Sequence, residues 1–127
     1  MTEEMTLTEY NDLLADHAKE HANKFKAKRT KTSDGQWCDS KAEARRYEEL
    51  LLMQRSGEIS DLAIHPRYPL EVNGIDVSRY TADFRYLDHG IVVVEDVKSP
   101  ITRKQGDYII RKKLMKALYK IDITEVS

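Results

Sequence analysis

Helical spacing and strand alternation divide the chain into an ordered set of elements. Residues 6–24 carry Leu7, Tyr10, Leu13, Leu14 and His17 near helical spacing and predict a first helix with a thin apolar stripe. Residues 25–38 predict a hairpin that turns at Ser33-Asp34-Gly35 and returns through Gln36-Trp37-Cys38. Ser40-Lys41-Ala42-Glu43 fits a capping box, in which a serine and a glutamate each bond a free amide at a helix start. The helix it opens runs to Gln54 and stops at Ser56-Gly57, with Glu43, Tyr47, Leu50, Leu51 and Gln54 on its inward face.

The rest of the pattern is mostly strand. Ile59 to Ile64 leads into His65-Pro66-Arg67-Tyr68-Pro69, whose prolines favour extended chain at a sheet edge. Arg79 to Leu87 alternates as one strand, and Ile91 to Lys98 is β-branched and apolar, as a central strand requires. Ser99 to Asp107 is a basic loop. Tyr108 to Tyr119 predicts a helix with Ile109, Leu114, Ala117 and Leu118 inward, and Ile121 to Val126 a closing strand. The order predicts an α/β domain, a small mixed β-sheet flanked by helices, over residues 25–127, with residues 1–24 as an acidic helical arm.

Composition narrows the class. In 127 residues there is one cysteine, Cys38, which excludes a disulfide framework and a cysteine-based zinc cluster. His17, His21, His65 and His89 are scattered, which also disfavours zinc. No apolar run is long enough for a membrane span, and the acidic start has no basic region of a signal peptide, so a reducing cytoplasm is expected.

The net charge of −1 hides unlike parts. Residues 1–22 sum to −5, residues 23–36 to +4, residues 61–98 to −3 and residues 99–120 to +6. Two basic blocks around an acidic middle suit a polyanion held by its backbone, although either block alone reads equally well as a solvated face. The phosphate-contacting candidates are Lys28, Arg29 and Lys31 on the hairpin, Arg103 and Lys104 on the loop, and Arg111, Lys112, Lys113 and Lys116 on the last helix. No base-reading module accompanies them, so sequence-specific recognition is not expected.

Carboxylates in the apolar strands carry the chemistry. With a turn centred on His89-Gly90, Asp83 lies directly opposite Asp96 on one face, with Cβ atoms about 4.5–5.5 Å apart. A three-residue loop would set Asp83 against Glu95 instead. The first register is preferred because Asp96 and Lys98 then share a side. Like charges so placed need compensation. Either a structural salt bridge to Lys98 or Arg85 provides it, or a hard divalent cation does. Glu43, on the inward helix face, is either the capping glutamate or a third carboxylate for such an ion.

These residues resemble the PD-(D/E)xK nuclease core: Asp83, then Asp96-Val97-Lys98, after a helix bearing Glu43. The stretches from Cys38 to Tyr47, from Tyr80 to Phe84 and from Val93 to Lys98 resemble a family of short phage-encoded proteins of that superfamily. The resemblance begins near residue 24; Ala82 replaces the proline of the motif, and Asp96 stands where Glu is commoner.

The resemblance implies a restriction-endonuclease-like core and Mg²⁺-dependent, alternatively Mn²⁺-dependent, hydrolysis of DNA phosphodiesters. Asp83, Asp96 and the Val97 carbonyl would bind the metal, Glu43 would complete the site, and Lys98 would orient water and stabilise developing charge. It extends to phage junction-resolving endonucleases. These imply a branched-DNA or Holliday-junction substrate, a role in phage DNA recombination, repair or processing, a homodimer and the bacterial host cytoplasm. Neither a small-molecule cofactor nor a membrane partner is expected. The competing classes are a non-catalytic nucleic-acid-binding module and a protein-interaction module that works through the acidic first helix.

Overall fold

The computed structural model describes residues 28–127. The expected acidic helix over residues 6–24 lies outside them. The chain divides into two units at Ala44/Arg45, and each is described by itself.

In the first unit, β1 (Thr30–Lys31) and β2 (Trp37–Cys38) form the expected antiparallel hairpin. Thr32 ties its loop. The Thr32 N–H donates to the Gln36 carbonyl at 2.8 Å, and its hydroxyl accepts the Gln36 N–H at 2.9 Å. Helix α1 (Lys41–Arg55) starts in this unit and continues into the second. Ser40 Oγ accepts the Glu43 N–H at 3.1 Å, as in a capping box. The reciprocal bond is displaced by one residue, because Glu43 Oε2 accepts the Asp39 N–H at 3.1 Å. Ser40→Ala removes an acceptor that satisfies a helix-terminal amide. It should cost about 1 kcal/mol in a urea melt, whereas a loss near zero would show that the cap is idle.

In the second unit α1 ends where Ser56-Gly57 predicts. Gly57 has φ +84°, and the Glu58 and Gly57 N–H groups close on Met53 and Gln54 carbonyls at 3.0 and 3.1 Å. This is a Schellman stop, which favours glycine at the left-handed position. Strands β3 (Ile59–Ile64), β6 (Phe84–Asp88), β7 (Ile91–Val97) and β8 (Thr124–Val126) form a four-stranded mixed sheet in the order β3-β6-β7-β8. Strand β7 is interior, as its composition predicts, and β8 pairs parallel to it. The protein is therefore of mixed α/β class.

A second hairpin, β4 (Arg67–Val72) and β5 (Ile75–Thr81), goes beyond the expected elements. Asn73 and Gly74 turn it with φ of 51° and 80°, the twist-matched two-residue turn that Asn-Gly favours. The single strand expected over Arg79–Leu87 is two strands, β5 and β6, interrupted at Ala82-Asp83. Pro66 faces the break and has no N–H to donate, so the ladder is interrupted there. Bonds from the Ala82 N–H to the Pro66 carbonyl (3.0 Å) and from the His65 N–H to the Asp83 carbonyl (2.9 Å) carry the pairing across the bend.

Helix α2 (Gly106–Tyr119) follows a 3₁₀ turn at Thr102–Lys104. Its inward face differs from the expected one. Tyr108 and Met115 are buried and Leu114 is half-buried, whereas Ile109, Ala117 and Leu118 are exposed. Tyr108 and Met115 join Tyr68, Leu70, Tyr80, Ala82, Val94 and Ile123 in one apolar cluster, so the β4–β5 hairpin draws the helix round. The other sheet face meets α1, where Tyr47 stacks on Phe84 with ring centroids 5.8 Å apart. Among the described residues no helix is long and apolar enough to cross a membrane.

Candidate functional site

The two-residue turn at His89-Gly90, with φ of 51° and 81°, sets the β6–β7 register. Asp88 pairs with Ile91 and Phe84 with Glu95, so the next step places Asp83 against Asp96. This is the register preferred on sequence grounds. Glu95 and Asp96, adjacent in β7, consequently face opposite sides of the sheet. Both are almost fully buried, at 1% and 2% exposure, yet their surroundings differ in kind.

Glu95 is matched in charge. The Arg46 guanidinium grips it with Nε–Oε1 and Nη2–Oε2 contacts of 2.8 Å each, and the Tyr86 hydroxyl donates to Oε2. The Glu95 carboxylate pushes the Arg46 pKa up, against a smaller opposing effect of burial. This pair holds α1 to the sheet.

Asp96 has hydrogen-bond donors, and its one ion pair among the described residues, to Lys98, is long. Its Oδ1 accepts the Asp83 N–H at 2.9 Å, and its Oδ2 accepts the Tyr80 hydroxyl. Asp83 returns the contact, since its Oδ2 accepts the Val97 N–H at 2.7 Å. The two aspartates are thus locked to each other's strands by backbone amides. Lys98 Nζ stands 4.0 Å from Asp96 Oδ2 and sits over the Tyr108 ring, 4.7 Å from its centroid. Arg85 makes no ion pair among the described residues. Burial pushes the Asp96 carboxyl pKa up, against the Tyr80 hydrogen bond, the Lys98 charge and the Asp83 amide. Burial, and then the Asp96 charge, push the Tyr80 phenol well up, so it remains a donor.

Sequence reasoning missed Glu125. Strand β8 runs parallel to β7 with Glu125 in register with Asp96, so Asp83, just ahead of β6, Asp96 in β7 and Glu125 in β8 lie in a row. The sign lay in the alternation of Ile121–Val126, but a parallel partner 29 positions away leaves no local mark. Glu125 takes up two expected phosphate contacts. Lys112 Nζ bonds its Oε1, and Arg103 Nε lies 3.2 Å from its Oε2, without hydrogen-bond alignment.

The remaining basic candidates divide. Lys116 pairs with Asp122 at 2.7 Å, and Arg111 with Asp107 at 3.6 Å. Lys104 and Lys113 are exposed and form no ion pair among the described residues. Lys28, Arg29 and Lys31 are exposed on the first unit. Glu43 also belongs to the first unit, buried, with its carboxylate on the Asp39 amide.

The donor set around Asp83 and Asp96 fits a hard cation. Both groups offer carboxylate oxygens, and an oxygen with two lone pairs can accept an amide and still face a metal. Tyr80 would act behind such a ligand. Tyr80→Phe removes the donor to Asp96 Oδ2 and should cost about 10- to 100-fold in affinity for such an ion. Calorimetric titration with Mg²⁺ or Mn²⁺ would show this as weaker binding, and an unchanged binding curve would remove Tyr80 from the site.

Residues 22–125 match the family described as a protein of unknown function, DUF1064. The chain belongs to the DUF1064 family. No curated protein and no solved structure matches it. The DUF1064 match runs through Asp83, Asp96, Lys98 and Glu125, and begins ahead of β1.

Proposed function

We propose that this DUF1064 protein is a Mg²⁺-dependent nuclease of the PD-(D/E)xK type that hydrolyses DNA phosphodiester bonds. The observation that carries the reading is the contrast between neighbours. Glu95 is neutralised by a bidentate arginine, while Asp96, equally buried and beside Asp83, has its nearest ammonium only at 4.0 Å. A divalent cation held by Asp83 and Asp96 would supply that missing charge, polarise a phosphoryl oxygen and make bound water a better nucleophile. Mn²⁺ has the same ligand preferences and is the alternative ion.

The chain's own groups do the rest. The Val97 and Asp83 amides each fix one carboxylate oxygen, which leaves less to reorganise when substrate arrives. Lys98, steadied on the Tyr108 ring, places a positive charge where a phosphate oxygen gains negative charge. The part of Glu43 and of the Val97 carbonyl as further ligands rests on the resemblance. Lys28, Arg29, Lys31, Lys104 and Lys113 would take phosphates, which position a backbone without reading bases.

Backbone contacts without a base reader suit structure-selective cutting, and the resemblance to junction-resolving endonucleases points to branched DNA cut by a homodimer in the bacterial host cytoplasm. The test is a panel of linear duplex, single strand, flap and four-way junction with the full chain in Mg²⁺. Cutting that favours the branched substrates is the expected result. Equal cutting of all would remove the structure selectivity, and no cutting of any would favour a non-catalytic binding module.

A further inference from the structure

The hairpin of the first unit holds an aromatic side chain on the outside. Trp37 is 51% exposed, while its neighbour Cys38 is fully buried. Lys31 faces Trp37 directly across the β1–β2 ladder, and its Nζ lies 5.9 Å from the indole centroid. The Arg29 guanidinium carbon lies 5.3 Å from the same centroid. The Thr32 hydroxyl, besides holding Gln36, bonds Asp34 Oδ1 at 2.5 Å, so the loop joining the two strands is internally fixed.

We propose that Trp37, Arg29 and Lys31 form a stacking site for an unpaired base of single-stranded DNA, with the two cations taking the phosphates on either side of it. A large aromatic left in water has a π-face to offer, and nucleobases are flat partners that stack on it regardless of sequence. Residues 23–36 sum to +4, which favours a polyanion over an apolar or basic partner. An exposed cation–π contact is weak, so a base that stacks on the ring while its phosphates capture the cations replaces it at a gain. Duplex DNA does not fit as well, because its base faces are already stacked.

The inference deepens the nuclease reading by adding unpaired nucleotides to the substrate, and rests on that reading only for the polymer being DNA. Binding is therefore measured in EDTA, where no metal-dependent cutting intervenes. Trp37 is the single tryptophan of the chain, so fluorescence excited beyond the tyrosine absorption band reports on this hairpin.

Titration of the full chain with a short oligo(dT) should quench the emission to saturation. A blunt duplex of equal length, followed by anisotropy of a label on the DNA, should bind without comparable quenching. Trp37→Ala should weaken oligo(dT) binding by about tenfold and leave duplex binding unchanged, while Trp37→Phe should keep most of the affinity. Unchanged emission on adding oligo(dT), or wild-type oligo(dT) affinity in Trp37→Ala, would overturn the proposal. Quenching by duplex alone, or tighter binding of oligo(U) than of oligo(dT), would overturn it as well. A chain that quenches with oligo(dT) yet cuts nothing in Mg²⁺ would sink the nuclease reading and leave the stacking site standing.

Discussion

Lys98→Ala should slow DNA cleavage by about 10²–10³-fold while leaving DNA binding nearly intact. Lys98 is half-buried, 4.0 Å from Asp96 and laid over the Tyr108 ring, so it faces the carboxylate pair and not open solvent. In the proposed reaction a charge held there would act mainly on the transition state, where phosphate oxygens become more negative. Removing a preorganised group of this kind costs about 10²–10³ in rate. One phosphate contact among several is a small part of binding, which separates the two readouts.

Lys98→Arg is the informative companion. It keeps the charge, but a planar guanidinium cannot take the place of an ammonium over the tyrosine ring without shifting, so only partial activity is expected. Single-turnover cleavage and filter binding on the same preparation decide the point. Equal losses of cutting and binding would make Lys98 a phosphate anchor. An unchanged cutting rate would remove it from the chemistry.

The second large effect is on stability. Arg46→Ala should destabilise the second unit by about 3 kcal/mol, because it strands Glu95 as an unpaired charge at 1% exposure. The estimate is at the lower end of the usual range, since the Arg46 side chain is itself 23% exposed and water can partly replace it. The penalty arises from orphaning the glutamate and not from a large net gain in the pair. Arg46→Met combined with Glu95→Leu should therefore recover most of the loss. Urea unfolding of the single and double variants measures both values. A single-variant loss below about 1 kcal/mol would show that Glu95 finds water, and its role in holding α1 would fail.

Part of this architecture is legible in short stretches of sequence, because their chemistry is local. Ser40 and Glu43 mark a helix start, Ser56-Gly57 marks its stop, and His89-Gly90 sets a two-residue turn from which the whole β6–β7 register follows. The facing of Asp83 and Asp96 is a consequence of that turn. Other features depend on pairs far apart in the chain. Arg46 meets Glu95 across 49 positions and Tyr80 meets Asp96 across 16, and hydrophobic spacing carries no sign of either.

The buried face of α2 is not legible in this way, because apolar residues encircle the helix. The β4–β5 hairpin, and not periodicity, chooses Tyr108 and Met115. That hairpin does have a local sign in Asn73-Gly74. Alternation obscures it by running on through Ala82-Asp83, where the missing amide of Pro66 and the left-handed His65 (φ 52°) on the facing chain interrupt the ladder. The +6 of residues 99–120 also overstates the free positive surface, since Glu125 and Asp122 engage Arg103, Lys112 and Lys116.

In the proposed reading, a divalent cation held by Asp83 and Asp96 makes the protein a nuclease. The most direct measurement is scission of a labelled four-way junction by metal-stripped wild-type protein, before and after adding Mg²⁺ or Mn²⁺, with Asp96→Ala in parallel. The prediction is no cutting without metal, cutting restored by either ion, and none by Asp96→Ala under any condition. Metal-independent cutting, or equal cutting by Asp96→Ala, would contradict it.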